Sequence, residues 1–261
     1  MPTLARADLE SLLRARQLDR TLTTALAPLD PSDDYVVAPA GVTALDASLG
    51  GGFPRGQLSE LIGPRSSGRT SLFLQILAAA TGRGELVALV DALDTLDPAS
   101  AAAAGIDLDR LLWVRGHVVT NPGMCRDVNP RAVEQAVKAL MLILQAGNFG
   151  CVVLDVAEAP AEAIRRLPFT TWLRLQRILE GSRTACLLVG AEPMARSSAG
   201  LSVKCERARR QQPGGQGGRS DASGPGQMFK GFDLELHVIS ARGRRREGVC
   251  VSLATEASPD V

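Results

Sequence analysis

The chain has 261 residues, of which 45% are hydrophobic and 22% are charged, and its formal net charge at pH 7 is +1. This length and apolar content predict one substantial core, and the near-neutral charge gives no overall sign of a nucleic-acid partner. The sequence shows neither a basic-then-apolar leader nor an apolar run of about 18 residues, so we expect a cytoplasmic protein without a membrane partner.

The first 37 residues are predicted to hold one helix and a linker. Leucines recur at helical spacing among arginines and acidic residues from Leu4 to Leu22, and Pro28 and Pro31 end the pattern. A helix separated from the core in this way typically docks on a partner or on the flank of its own domain. We expect the core to span residues 38–253.

Residues 63–70, with the sequence GPRSSGRT, match a phosphate-binding loop except at one position. That motif uses glycines so that backbone N–H groups surround phosphate, a lysine that reaches the terminal phosphates, and a hydroxyl that binds Mg²⁺. Arg69 stands at the lysine position. A predicted strand, residues 57–62, precedes the loop and a predicted amphipathic helix, residues 71–80, follows it. The candidate cofactor-binding residues are Gly63, Pro64, Arg65, Ser66, Ser67, Gly68, Arg69, Thr70, Ser71 and Asp155.

The arginine at position 69 changes the expected chemistry. A planar guanidinium does not reproduce the compact charge of lysine between β- and γ-phosphates, so nucleotide binding can survive while hydrolysis weakens. An alternative is that a general bias replaced a functional lysine, because Lys138, Lys204 and Lys230 are the only lysines among 29 Lys and Arg residues.

The rest of the core predicts an α/β fold. Continuous apolar runs at 85–91, 111–114, 151–155 and 185–190 alternate with predicted helices at about 98–104, 130–146 and 170–181, which is typical of a mostly parallel twisted sheet flanked by helices. Strands predicted at 201–209, 234–239 and 248–253 form an antiparallel, β-rich C-terminal part. Residues 211–227 are expected to be a mobile Gly-rich loop and residues 254–261 a disordered tail.

Asp155 ends an apolar strand, where an acidic residue can join Thr70 in holding Mg²⁺. We therefore assign the metal role to Thr70 and Asp155. The segment 90–98 carries three carboxylates, Asp91, Asp94 and Asp97, any of which could activate water. Helix caps and solvated turns are the simpler interpretation of these three.

Basic residues accumulate between residues 196 and 246. Such a stripe can neutralise phosphates of single-stranded DNA, although it also suits a solvated strand edge, and few aromatic residues lie nearby to stack on bases. The candidate DNA-binding residues are Arg207, Arg209, Arg210, Arg242, Arg244, Arg245 and Arg246.

The cysteines and histidines indicate no metal centre by their spacing. The five cysteines are odd in number and include no C-x-x-C pair, so neither a disulfide framework nor a zinc site is indicated. His117 and His237 are isolated and receive no role.

Residues 41–46, 63–70, 91–98 and 105–112 together resemble the ATPase core of the bacterial recombinase RecA. The resemblance runs from about residue 38 to 253 and is strongest over 41–115. Within that superfamily the chain is most similar to the ImuA group of bacterial mutagenic translesion-synthesis cassettes. The resemblance implies ATP and Mg²⁺ as ligands, possible self-association, and as partners an ImuB-like protein of the Y-family polymerase type, RecA and single-stranded DNA.

The chain departs from RecA where ATP is turned over. Leu93 stands at the position of the ATP-activating glutamate, and residues 189–192 hold no counterpart of the glutamine that senses nucleotide. The segments aligned with the DNA-binding loops, 156–167 and 193–200, are short.

Three hypotheses follow. The first is a RecA-like accessory factor of DNA-damage tolerance and the SOS response that works by binding, with a degenerate ATPase site. The second is an active DNA-dependent ATPase or recombinase in which Arg69 replaces the lysine and Asp94 the glutamate. The third is a cell-division inhibitor resembling SulA.

Overall fold

The structure, a computed structural model, describes residues 37–116, 128–195, 198–207, 233–241 and 250–254. The predicted N-terminal helix, the Gly-rich loop and all of the predicted tail except residue 254 lie outside the described residues. Within the part of the chain that is described, no helix is long and apolar enough to cross a membrane.

The elements follow the predicted order closely. The strands are β1 (Val37–Ala38), β2 (Phe53–Pro54), β3 (Leu58–Ile62), β4 (Val87–Asp91), β5 (Leu111–Arg115), β6 (Cys151–Asp155), β7 (Ala185–Gly190), β8 (Ala199–Arg207), β9 (Asp233–Ala241) and β10 (Cys250–Ala254). The helices are α1 (Thr43–Leu49), α2 (Arg69–Gly82), α3 (Pro98–Ala103), α4 (Val128–Ala146), α5 (Ala161–Arg165) and α6 (Phe169–Leu179), and a short 3₁₀ turn (Leu108–Arg110) precedes β5.

Eight strands form the central sheet in the order β10-β9-β8-β3-β7-β6-β4-β5. From β8 to β5 every neighbouring pair is parallel, whereas β9 is antiparallel to both β8 and β10. The predicted mostly parallel α/β sheet with an antiparallel C-terminal part is therefore confirmed. The strand that enters the phosphate-binding loop, β3, lies in the middle of this sheet.

Both faces of the inner parallel strands β4, β6 and β7 are buried, which explains their continuous apolar sequences. On one face Phe73 and Leu77 of α2 belong to a core cluster with Leu61 of β3. On the other face Leu140 of α4 and Leu175 of α6 belong to a second cluster. The helices thus fix β3 from both sides, and the loop that follows it starts from a rigid base.

A buried carboxyl side chain lies within the apolar central strand. Glu60, in the middle of β3, is only 1% exposed. Its Oε1 accepts the N–H groups of Met194 and Ala195, each at 2.7 Å, and its Oε2 accepts the Ser202 hydroxyl at 2.8 Å. The carboxylate therefore ties the central strand to the segment after β7 and to β8, at the edge of the sheet where the phosphate-binding loop begins.

Candidate phosphate-binding site

The loop between β3 and α2 has the backbone of an anion-binding turn. Ser66 has a φ of +59° and Gly68 a φ of +83°, both in the left-handed region. At Gly63 a Cβ atom would lie 2.6 Å from the Cys205 carbonyl, so that position accepts only glycine without displacement of β8. The first helical hydrogen bond runs from the Leu72 N–H to the Gly68 carbonyl at 3.0 Å, which leaves the N–H groups of the first turn of α2 for an anion.

A cleft of about 640 Å³ opens over this loop. The predicted residues 65–71 line it. Two further residues complete the lining, namely Glu158 from the segment after β6 and Arg207 from the end of β8. Arg207, predicted as a DNA contact, therefore lies beside the loop, and Glu158 is a residue that the sequence analysis missed.

Arg69 folds back onto the loop. Its side chain is only 4% exposed, and its Nη1 donates to the carbonyl oxygen of Gly63. Its Nη2 donates to Glu158 Oε1 at 2.7 Å and to the Ala157 carbonyl at 3.4 Å. The guanidinium of Arg69 thus interacts with groups of the protein itself, whereas a lysine at this position would reach the terminal phosphates.

Glu158 holds two arginines at the entrance of the cleft. Besides Arg69, it accepts the Arg65 Nε at 2.5 Å, and the Arg65 side chain is 82% exposed. The negative charge of this carboxylate would repel a triphosphate bound in the cleft. The salt bridges must therefore rearrange before Arg65 or Arg69 can pair with phosphate. No sequence signal singled out Glu158, because its role depends on the position of the Arg69 side chain.

Two buried polar atoms of the loop, Ser67 Oγ and Arg69 Nε, have no hydrogen-bond partner among the described residues. Buried donors of this kind are normally satisfied, so a phosphate oxygen is a suitable acceptor for both. The backbone cradle and these donors therefore fit a phosphate group. The charged side chains around them, Arg65, Arg69 and Glu158, form salt bridges with one another.

Asp155 lies at the end of β6, two strands away from β3. Burial raises the pKa of its carboxyl to about 6, and the neighbouring Asp91 adds to the rise, while the Ala157 N–H donates to Oδ1 at 2.9 Å and opposes it. A carboxylate oxygen suits Mg²⁺, and Thr70 lines the cleft at the start of α2. These two residues remain the predicted metal ligands.

Ionisation of Asp155 is expected to cost stability. Between about pH 4 and 6 the folded protein keeps a proton that the unfolded chain, with a carboxyl pKa of 3.8, has already lost. The free energy of unfolding should therefore fall as the pH rises through this window, by up to about 3 kcal/mol from this group. Asp155→Asn cannot ionise, so we expect it to unfold at higher urea than the wild type at pH 7.5 and at a similar concentration at pH 4.

Asp97→Asn is a control in which we expect the opposite change in stability at neutral pH. The Ser100 hydroxyl and N–H lower the pKa of Asp97, which caps α3, so its ionised form stabilises the fold at neutral pH. This variant should lose stability at pH 7.5. If the urea midpoint of Asp155→Asn at pH 7.5 is at or below that of the wild type, the raised pKa of Asp155 is contradicted.

The three carboxylates at the end of β4 and in the turn after it all accept hydrogen bonds within the protein. Asp91 is 1% exposed and accepts the N–H groups of Thr95 at 3.0 Å and Leu96 at 2.8 Å, and Asp97 caps the next helix. Asp94 accepts both Nε and Nη2 of Arg115, at 2.7 and 2.8 Å, and Arg115 stacks on Trp113 at 4.5 Å. Each carboxylate thus shapes the turn between β4 and α3.

Leu93 and the segment 189–192, where the resemblance predicts the loss of a catalytic glutamate and a sensor glutamine, make local contacts. Leu93 packs against the apolar cluster under α4. At the end of β7, Gly190 offers only its carbonyl, which accepts the Gly63 N–H at 3.1 Å. Glu192, two residues later, pairs with Arg165 at 2.8 Å. This edge of the sheet supports the loop through backbone contacts.

Among the predicted DNA contacts, only Arg207 is described, and it is exposed at the end of β8. Arg209, Arg210, Arg242, Arg244, Arg245 and Arg246 lie outside the described residues.

A mostly parallel sheet, a glycine-rich turn from its central strand into a helix, and an acidic residue at the end of a nearby strand define a P-loop NTPase fold. Residues 25–163, more than half of the chain, match the model of the RecA N-terminal domain. The chain belongs to this family, whose NTPase members generally bind ATP and Mg²⁺.

Curated relatives and a solved structure agree with this assignment. The chain is 37% identical to RecA of Acholeplasma laidlawii over 132 residues, which are 50% of this chain and 36% of that protein. It is 35% identical to RecA of Clavibacter michiganensis over 156 residues, 54% of this chain and 39% of the relative. The chain thus matches little more than a third of these relatives' length. The crystal structure of the RadB recombinase superposes with a TM-score of 0.53 at 19% identity, covering 83% of this chain and 94% of RadB, which shows the fold.

Proposed function

We propose that this protein is a RecA-like accessory factor of DNA-damage tolerance that acts by binding partners, without efficient ATP turnover. The observation that carries the proposal is the position of Arg69, whose guanidinium is buried against Gly63 and Glu158. Phosphoryl transfer depends on a cation placed between the β- and γ-phosphates. In this chain the cation at that position neutralises a carboxylate of its own protein.

The arrangement around the end of β4 supports the same conclusion. Leu93 cannot take a proton from water, and Asp94 is held by two hydrogen bonds from Arg115 that also lower its pKa. A general base needs a free carboxylate within reach of the attacking water. Replacing the missing glutamate with Asp94 would first require the Arg115 pair to break.

A second candidate function is an active DNA-dependent ATPase or recombinase. It is favoured by the preserved loop backbone and by the unpartnered donors Ser67 Oγ and Arg69 Nε, which fit a phosphate. Under this alternative, nucleotide would displace Glu158 from Arg69 and complete the site.

Steady-state ATPase measurements with and without single-stranded DNA separate the two functions. We expect turnover at the background level in both conditions, because neither the catalytic cation nor the base is available. The matched control is Asp155→Ala, which removes the predicted Mg²⁺ ligand and should leave that background unchanged. DNA-stimulated turnover that disappears in Asp155→Ala would establish the active ATPase and refute the accessory function.

The partners are part of the proposal. We expect a pull-down from DNA-damaged cells to recover an ImuB-like protein of the Y-family polymerase type, together with RecA. Mixing the purified proteins in size-exclusion chromatography should then give a joint peak in the absence of ATP, because the proposed function is binding alone. A complex that forms only with hydrolysable ATP would contradict this expectation.

A further inference from the structure

The outer face of the antiparallel part of the sheet gathers metal-binding side chains. On β9 the apolar residues Leu234, Leu236 and Val238 are buried, so the alternate residues Glu235 and His237 lie on the opposite face. These two residues are partly exposed. The register places His237 opposite Cys250 of β10 and Glu235 opposite Glu206 of β8. Side chains from three strands thus converge on one surface.

The donor atoms are separated as the ligands of one ion would be. Cys250 Sγ lies 3.9 Å from His237 Nε2, and His237 Nε2 lies 3.6 Å from Glu235 Oε2. The three ligand atoms all lie within 4.8 Å of one another. Zinc bonds of about 2.0–2.3 Å at tetrahedral angles separate adjacent ligands by about 3.3–3.6 Å. Small rotations of exposed side chains therefore suffice to close the site.

We propose that Glu235, His237 and Cys250 bind a zinc ion. A thiolate combined with an imidazole and a carboxylate is a ligand set that zinc accepts, whereas Mg²⁺ and Ca²⁺ prefer oxygen ligands alone. Three protein ligands leave the fourth tetrahedral position to water. Glu206 Oε2, 3.8 Å from His237 Nε2, borders the site.

The charge pattern points to the same ligand. Glu206 and Glu235 stand directly opposite each other on neighbouring strands, an arrangement that like charges disfavour. Lys204 pairs with Glu206 at 2.5 Å, whereas a carboxylate oxygen of Glu235 lies within 4.8 Å of the His237 and Cys250 donor atoms. A divalent cation at this point would neutralise Glu235 and the Cys250 thiolate together.

Such an ion would fasten the edge of the sheet. Cys250 is the first residue of β10, the outermost strand, and His237 belongs to β9. Metal bonds between these residues join the two strands at one end of their pairing. The sequence spacing gave no zinc signal, because His237 and Cys250 come together only through the antiparallel register.

Cobalt titration of the full-length chain tests the proposal, because Co²⁺ substitutes for zinc and absorbs in the near ultraviolet when it is bound to a thiolate. We expect one Co²⁺ per wild-type chain, with a sulfur charge-transfer band that excess Zn²⁺ abolishes. The band should be absent in Cys250→Ser. In His237→Ala the affinity should fall at least about tenfold, since even groups that only orient metal ligands contribute about 10–100-fold.

Cys125→Ser is the matched control, because Cys125 lies outside the described residues and the other cysteines, Cys151, Cys186 and Cys205, are buried. This variant should bind Co²⁺ as the wild type does. Zinc should also raise the melting temperature of the wild type and leave that of Cys250→Ser unchanged, and this exposed substitution should not affect folding. Absence of the band in the wild type, or its persistence in Cys250→Ser, would overturn the proposal.

Discussion

Glu60→Ala is expected to lower the free energy of unfolding by about 4 kcal/mol. The substitution removes the acceptor of three buried donors, the N–H groups of Met194 and Ala195 and the Ser202 hydroxyl. Each buried donor left without a partner costs about 1–3 kcal/mol, and removing the desolvated carboxylate recovers part of the total cost. Urea denaturation followed by circular dichroism would measure the loss as a lower transition midpoint.

Ser59→Ala is the matched control for Glu60. Ser59 precedes Glu60 on the same strand and is equally buried, but its hydroxyl has no hydrogen-bond partner among the described residues. Removing an unsatisfied hydroxyl should change stability by less than about 1 kcal/mol, and in the stabilising direction. Equal losses in the two variants would show that β3 tolerates no change at all and would remove the specific role of Glu60.

The sequence predicted the main features of the fold for a clear physical reason. Parallel strands that are covered on both faces must be continuously apolar, so 151–155 and 185–190 were recognisable from composition alone. The loop at 63–70 was recognisable because glycine suits both the left-handed φ at position 68 and the close approach of β8 at position 63. Both signals are local, and local signals can be read from a single sequence.

The contacts between distant segments could not be predicted in this way. Glu158 meets Arg69 across 89 positions of the chain, and the Arg115 side chain reaches Asp94 across a parallel strand pair. Each contact depends on strand order and on a side-chain rotamer. Glu60 is recognisable in the sequence as a charged residue within an apolar strand. The N–H groups that donate to it, in the segment after β7, could be found only from the structure.

Arg69→Lys is expected to raise the affinity for Mg²⁺-ATP by about 10- to 100-fold. An ammonium cannot reproduce the paired contacts of the guanidinium with Gly63 and Glu158, so its charge becomes available to the phosphates. A hydrogen bond to a charged group is worth about 1.5–3 kcal/mol, which corresponds to that range of affinity. Isothermal titration calorimetry with ATP and with a non-hydrolysable analogue would measure the gain.

Arg65→Lys is the matched control, because it makes the same chemical change in the same cleft. Arg65 also pairs with Glu158, but its side chain is 82% exposed, so its exchange should alter affinity by less than about twofold. Turnover should stay at background in both variants, since Leu93 occupies the position at which we predict the base to be missing. Wild-type affinity in Arg69→Lys would show that the buried guanidinium does not block the phosphates. Strong ATP turnover in Arg69→Lys would show that another group activates water. Arg69 alone would then account for the absence of turnover in the wild type.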